Sequence, residues 1–574
     1  MEGSSSEKPE TFVREATGFV RSMGWLDLLF LNVVSFGGAW SIIYALTYAP
    51  YYGGDPAFSL LLTAPGILAL LGIYYVFTTS MPRSGGDYVF MSRILHPAVG
   101  LAANFIGYSI FLWFWIGDAA TVFSTQGLAQ TFSVFGSLTG ASWANSAAAW
   151  LTPPSSGFAV NNFLLGTVFI VFFALVVLFR NRLYFWIQNI FMSVAVIGLV
   201  IIAALLIVAV VNPSSFVANF NNYAHGVNSS FAAATSSGTH GWDYVNGTAQ
   251  AAFPPGDTGV GNIGNNLLLV PLWFTVLFWV YVSNYLGGET KSARSSVKKA
   301  LFGSFGIIFV STLVILEAAY KALGVGFITG ADNIYYGYAA NPFGAPPNLT
   351  LLAGVLSNNA IITLFLGIGI VAGFILVAPQ CMILMSRILF SYSFDRVAPK
   401  GLADVNDRFH TPVKAILVAA IGGEVMLAIL TGAFGGTTSS TAFALYIYAG
   451  LATISLTFTF VAISAIVFPY RRKQLYGVAS TVKRTIAGLP VITWLGIIAL
   501  AYILYTVAEY FFVNQAFYTF GCPGGGAVGC NFNWFIGFLF VGFVSIIGYY
   551  FLVRWYRSKG GMPYDATFKE IPPE

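Results

Sequence analysis

The chain has 574 residues, of which 57% are hydrophobic and only 8% charged. A soluble domain carries roughly 25% charged residues, so this composition cannot cover a water-exposed globule, and with the apolar runs below the chain reads as an all-α membrane protein. The formal net charge of +5 reads as orientation charge, not as the footprint of a nucleic acid, and three Cys exclude a disulfide scaffold or a Cys-rich metal protein.

Met1 to Gly24 are polar and mixed in charge, with no apolar core ahead of a small-residue site. No cleaved signal peptide is expected, and 1–24 reads as a cytoplasmic tail. Crossing about 30 Å of hydrocarbon takes about 20 apolar residues in a helix. Twelve such runs follow: 25–48, 58–80, 98–129, 161–179, 184–211, 265–287, 300–321, 357–392, 413–431, 441–469, 490–512 and 532–556. The third and eighth are long enough to tilt strongly or to extend past the bilayer. A cytoplasmic tail, 557–574, closes the chain.

Placed on this map with a cytoplasmic N-terminus, every Lys and Arg except Lys321 falls in an inner segment. One misplaced helix would invert all later loops and destroy that sorting, so the bias fixes an even count with both termini inside. The outer loop 212–264 has two acids, Asp243 and Asp257, no Lys or Arg, and much Asn, Ser, Thr and Gly. A surface so poor in titratable groups hardly changes charge with pH, which suggests an owner living in acid. Three sequons, beginning at Asn228, Asn246 and Asn348, fall in outer segments. Cys522 and Cys530 share the Gly-rich outer loop 513–531, as a disulfide candidate or as two free thiols.

Three inner stretches carry a recognisable pattern. After helix 2 stands Met81-Pro-Arg-Ser-Gly-Gly-Asp-Tyr88, in which Pro82 stops the helix and Ser84-Gly85-Gly86 allows a turn where a side chain would clash. After helix 6 comes Gly288-Glu-Thr-Lys291 with further basic residues to Lys299. After helix 8 come Arg387, Asp395-Arg-Val-Ala-Pro399 and Thr411-Pro412. In order and topological position these resemble the signature loops of the amino acid–polyamine–organocation superfamily, over residues 25–469. The resemblance implies two inverted five-helix repeats, 25–211 and 265–469, each opening with a broken helix (1 and 6), with helices 11 and 12 in 470–556. It implies a substrate near the midplane, held by half-helix ends and unwound carbonyls.

On that resemblance Ser35, Phe36, Gly37, Gly38 and Ala39 form the substrate-binding break of helix 1. Trp40 stands where the family has a small-residue pattern ending in Gly. In helix 6 the family's Gly is replaced by Trp279, and Thr275, Phe278 and Tyr281 fall on the pocket side; the bland reading of that aromatic stripe is packing.

Acids inside a membrane are costly and point to function. Asp118 in helix 3 and Glu424 in helix 9 have no sequence-local partner and are the proton-coupling candidates, whereas Glu317 has Lys321 four residues on and can neutralise itself. Helix 8 lacks Ser and Thr from Leu364 to Met385, and helix 5 lacks Lys; both argue against the family's sodium site and its lysine substitute. The expected function is therefore secondary active transport of amino acids across the plasma membrane, proton-coupled, by alternating access. Polyamine or nucleobase transport and ion-independent exchange are the alternatives. The four His residues have no metal-ligand spacing, and neither a nucleophile elbow nor a phosphate loop occurs, so no enzyme, metal or cofactor is expected. The expected partners are a small-molecule substrate and membrane lipid.

Overall fold

The computed structural model describes residues 21–35, 54–152, 157–179, 181–252, 263–335, 342–344, 347–406, 408, 411–434, 450, 452–479, 482–509, 532–559 and 568. Eleven helices among these are long and apolar enough to cross a membrane, and the shorter apolar helix 1 precedes them. Helix 1 is Trp25–Ser35, helix 2 Pro56–Ser80, helix 3 Pro97–Thr139, helix 4 Phe158–Phe179, helix 5 Asn181–Val211 and helix 6 Ile263–Tyr285. Helix 7 is Ala293–Leu323, helix 8 Ala360–Phe394, helix 9 Val413–Thr431, helix 10 Thr453–Arg471, helix 11 Val491–Ala508 and helix 12 Phe532–Lys559. Helix 3 runs 43 residues, about 65 Å at the usual rise of roughly 1.5 Å per residue, so it extends well past the hydrocarbon, as its long apolar run implied.

The chain sets these boundaries locally. Asp55 caps helix 2 by accepting from the Phe58 amide, with Pro56 in the first turn. His96 caps helix 3 through Nδ1, which accepts from the Ala98 amide at 3.2 Å. Asn359 does the same for helix 8.

Helix 1 packs along helix 7 as helix 2 packs along helix 6; helix 3 meets helix 10 as helix 8 meets helix 5; and helices 4 and 9 pack on each other. Moving every helix number by five turns each pairing into its counterpart. Five crossings are an odd number, so this is the pairing that an inverted repeat would give. Helices 3 and 10 interlock through widened turns, Phe105–Ser109 and Thr453–Phe458. There the Thr453 hydroxyl donates to the Gly107 carbonyl, and that of Thr457 to Ala103 at 2.9 Å. Such π-turns gather at functional sites.

The polar 212–264 stretch is not a plain loop. It holds helices Pro213–Val227 and Gly241–Ala252, and Phe216, Phe220 and Trp242 pack against Phe327 of Val325–Tyr335 in an aromatic group continuous with the main core. His225 and His240 serve this cap, each bonding through Nδ1 to a carbonyl of the 228–240 turn. Composition alone hid the cap because its few large rings are spread among small polar residues. Glu317 and Lys321 pair at 3.1 Å, as their spacing required. Cys522 and Cys530 lie outside the described residues.

Candidate functional site

Helix 6 is α-helical from Ile263 to Leu277 and changes to a 3₁₀ run at Phe278–Tyr285. Tightening to three residues per turn releases the regular i−4 bonding, and neighbours take up the freed groups. Asn32 of helix 1 accepts from the Ser283 amide at 2.8 Å through its carbonyl oxygen and offers its amide to Ser304 of helix 7 at 3.4 Å. Thr78 of helix 2 donates to the Asn284 side chain at 2.6 Å. Gln380 of helix 8 donates to the Leu31 carbonyl, near Ser35, the last described residue of helix 1. On the other flank of helix 1, Gln188 and Asn189 of helix 5 donate to the backbone and carboxylate of Asp27.

A stack of rings lies around the helix 6 transition. Trp279 packs on Phe278 and on Phe111 of helix 3, with centroids 4.1 and 4.7 Å away, and Phe278 meets Phe458 of helix 10 edge-on at 4.8 Å. Tyr281 stacks on Tyr74 of helix 2 at 4.3 Å, and Tyr285 on Tyr108 of helix 3 at 5.0 Å. Such offset stacks favour a fixed arrangement beyond their buried area.

Beneath the rings, the end carrying the basic residues is closed by two buried ion pairs. Arg387 of helix 8 grips Glu289 with two bonds of 2.8 and 2.9 Å, at 0% and 4% side-chain exposure. Arg93, on the short helix Gly86–Ile94, holds both oxygens of Asp395. The turn entering that short helix requires glycine. Gly85 has φ +108°, and a Cβ there would lie 2.0 Å from the Ser391 hydroxyl; at Gly86 it would strike the Tyr285 ring at 2.8 Å. The three signature loops thus converge on one closure.

Between rings and ion pairs sits Asp87, fully buried. Its Oδ2 accepts from the Tyr285 hydroxyl, with that of Tyr281 at 3.4 Å, and its Oδ1 has no partner. Burial pushes its carboxyl up to about 6, while the tyrosine hydrogen bonds oppose the shift. The network continues from Tyr285 to Asn104 at 3.3 Å, Tyr392 at 2.7 Å and Ser109 at 3.2 Å.

Of the site residues expected from the sequence, Phe36, Gly37, Gly38 and Ala39 lie outside the described residues, and Ser35 ends the described part of helix 1. Phe278 and Tyr281 come together on Phe458 and Tyr74. Thr275 spends its hydroxyl on the Pro271 carbonyl at 2.8 Å. Asp118 lies between Trp115 and Val122, each one turn away, on the helix 3 face that meets Trp279 and the Ile370–Phe374 turn of helix 8. Its Oδ2 is buried without a partner. Glu424 belongs elsewhere: Thr167 of helix 4 donates to it at 3.1 Å, in the seam between helices 4 and 9. The two acids are not brought together.

Sequence reasoning missed Asp87, Tyr74, Tyr108, Tyr285 and Asn104. Asp87 stood inside a quoted signature loop, but nothing local distinguishes a buried loop acid from a solvated one. Among the described residues no group of three His, Cys, Asp or Glu could hold a metal ion. A family model described as amino acid permease matches residues 23–548. No curated protein matches the chain.

Proposed function

The chain belongs to the amino-acid permease family, and on that premise we propose that it is a secondary active transporter that moves amino acids across the plasma membrane, coupled to protons, by alternating access. Family membership makes it a multi-pass membrane transporter of amino-acid-like solutes. The finer reading is supported chiefly by one observation. Helix 6 leaves α geometry at Phe278 within its span, and a layer of rings and buried ion pairs closes one end beneath that point. A solute resting at the transition is separated from that side by a layer that has to open.

In this reading the substrate lies against Ser35 to Ala39 of helix 1 and against Thr275, Phe278 and Tyr281 of helix 6. The helix ends meet its carboxylate and ammonium groups, and Trp279 bounds it. The closed end is cytoplasmic, because the Lys and Arg residues gather there. Asp118 carries the coupling proton: it has an unpartnered oxygen and lies on the central face of helix 3. Sodium is disfavoured because Gln380 spends its amide on the Leu31 carbonyl, so the seam between helices 1 and 8 holds a donor where a cation would need oxygens.

The test is uptake of radiolabelled amino acids into proteoliposomes. Accumulation should follow an imposed inward proton gradient and ignore replacement of sodium by choline. Accumulation of polyamines or nucleobases but not amino acids would reverse the substrate assignment.

A further inference from the structure

Among the described residues of the closed end, Asp87 is a fully buried acid whose hydrogen-bond partners are tyrosine hydroxyls and not a cation. Arg93, on its own short helix, is taken by Asp395, and Arg387 by Glu289. Among the described residues, the polar groups of the network around it are uncharged hydroxyls and an amide. Helix 2 contributes Tyr74, helix 3 Tyr108 and Asn104, helix 6 Tyr281 and Tyr285, and helix 8 Tyr392. The hydroxyls of Tyr74 and Tyr108 and the Oδ1 of Asp87 are buried without partners.

A buried carboxylate with no counter-ion is costly, and the neutral acid removes most of that cost while its O–H can donate to a neighbouring hydroxyl. The side chain is held by features of the closed arrangement. Gly86, directly before it, is pressed against the Tyr285 ring, and Gly85 against Ser391 of helix 8, whose hydroxyl donates to the Ser84 carbonyl at 2.8 Å. Parting helices 6 and 8 from the loop would therefore pull the cage from around Asp87 and admit water.

We propose that Asp87 is a second proton site, holding a proton while this end is shut and releasing it to that side as the end opens. The proposal rests on the transport reading only for the direction of opening. The carboxyl O–H bond breaks, the proton passes to entering water, and the carboxylate keeps the electron pair. No other reactant is required.

The closed arrangement holds the carboxyl at about 6, and hydration returns it toward the ordinary 3.8. Protonation thus favours closure. That contribution is fully present below about 3.8 and is lost as pH rises through about 6. The two values set a ceiling of roughly 100-fold on the shift in the closed-to-open ratio.

The test reads accessibility, which needs no solute flux. A Ser84→Cys reporter in the full chain, reconstituted in vesicles, is exposed to a membrane-impermeant thiosulfonate from the basic side between pH 5 and 8. Labelling of the parent chain is subtracted, and rates are normalised to Ser295→Cys, an exposed position on the same side. Labelling of Ser84→Cys should rise several-fold with a midpoint near pH 6. Adding Asp87→Asn, a permanently neutral side chain, should keep labelling low throughout.

Tyr285→Phe removes a hydrogen bond that favours the anion, so its midpoint should move to higher pH. That shift also decides the matter if Asp87→Asn does not fold. Asp118→Asn should leave the step unchanged, which separates this site from the coupling acid. A step that persists in Asp87→Asn, or a midpoint unmoved by Tyr285→Phe, overturns the proposal even if amino-acid uptake is demonstrated. Conversely, absence of uptake with an intact Asp87-dependent step refutes the transport reading and leaves the proton site standing.

Discussion

Replacing Glu289 with Gln strips one charge from a buried pair and changes almost nothing in shape. Arg387 has 0% side-chain exposure and spends Nε and one terminal nitrogen on Glu289, at 2.8 and 2.9 Å. The Ser386 hydroxyl, 2.9 Å from its other nitrogen, is a neutral acceptor and cannot replace a carboxylate. Leaving a buried cation without its counter-ion costs about 3–5 kcal/mol. Gln keeps one acceptor oxygen, so the expected loss lies at the lower end, about 3 kcal/mol. The Glu289 carbonyl also receives the Ser22 and Met23 amides, tying the segment before helix 1 to this loop, and the substitution leaves that anchor in place. The charge effect is therefore isolated. It is measured as the change in unfolding free energy when purified protein in mixed micelles is titrated with dodecyl sulfate. The double variant Glu289→Gln/Arg387→Met removes both charges and should recover most of the loss, since an apolar replacement of a whole buried pair is often neutral. A single variant within about 1 kcal/mol of wild type would refute the reasoning, because it would mean that water reaches Arg387.

Gly85→Ala should destabilise by about 2–3 kcal/mol in the same titration, combining left-handed backbone strain with displacement of the Ser391 hydroxyl from the Ser84 carbonyl; an unchanged midpoint would show that the loop shifts freely. Asp118→Asn should abolish proton-driven accumulation in vesicles while preserving solute exchange, and accumulation against a gradient in that variant would make Asp118 a packing residue. Glu424→Gln should keep proton-driven accumulation, because its contact is with Thr167 in the seam between helices 4 and 9; loss of coupling there would exchange the roles of the two acids. Gly38→Leu should insert normally and transport nothing, as measured by surface biotinylation beside uptake, and wild-type flux would remove Gly38 from the substrate site.

The apolar runs were enough to determine an all-α membrane protein, most described span boundaries to within a few residues, and the overlong helices 3 and 8, although helix 3 runs on to Thr139 and helix 7 begins already at Ala293. These are properties that each segment carries by itself, because lipid demands about 20 apolar residues wherever a helix crosses. The Ser84-Gly85-Gly86 turn was legible for the same local reason, as a sharp bend with no room for Cβ. The Glu317–Lys321 pair was legible from spacing alone. The acids were legible only through the resemblance, which put Asp118 ahead of Glu424 because helix 3 flanks the pocket; each otherwise stands alone in an apolar helix, and packing sets Asp118 on the face toward Trp279 and Glu424 against Thr167. Asp87 looked like an ordinary loop acid until helices 2, 3, 6 and 8 brought five tyrosines around it. Charge environment depends on neighbours as far as 305 residues away along the chain, such as Tyr392, and no window on the sequence encloses them. The tertiary structure therefore decided which buried charges are paired and which are left to titrate.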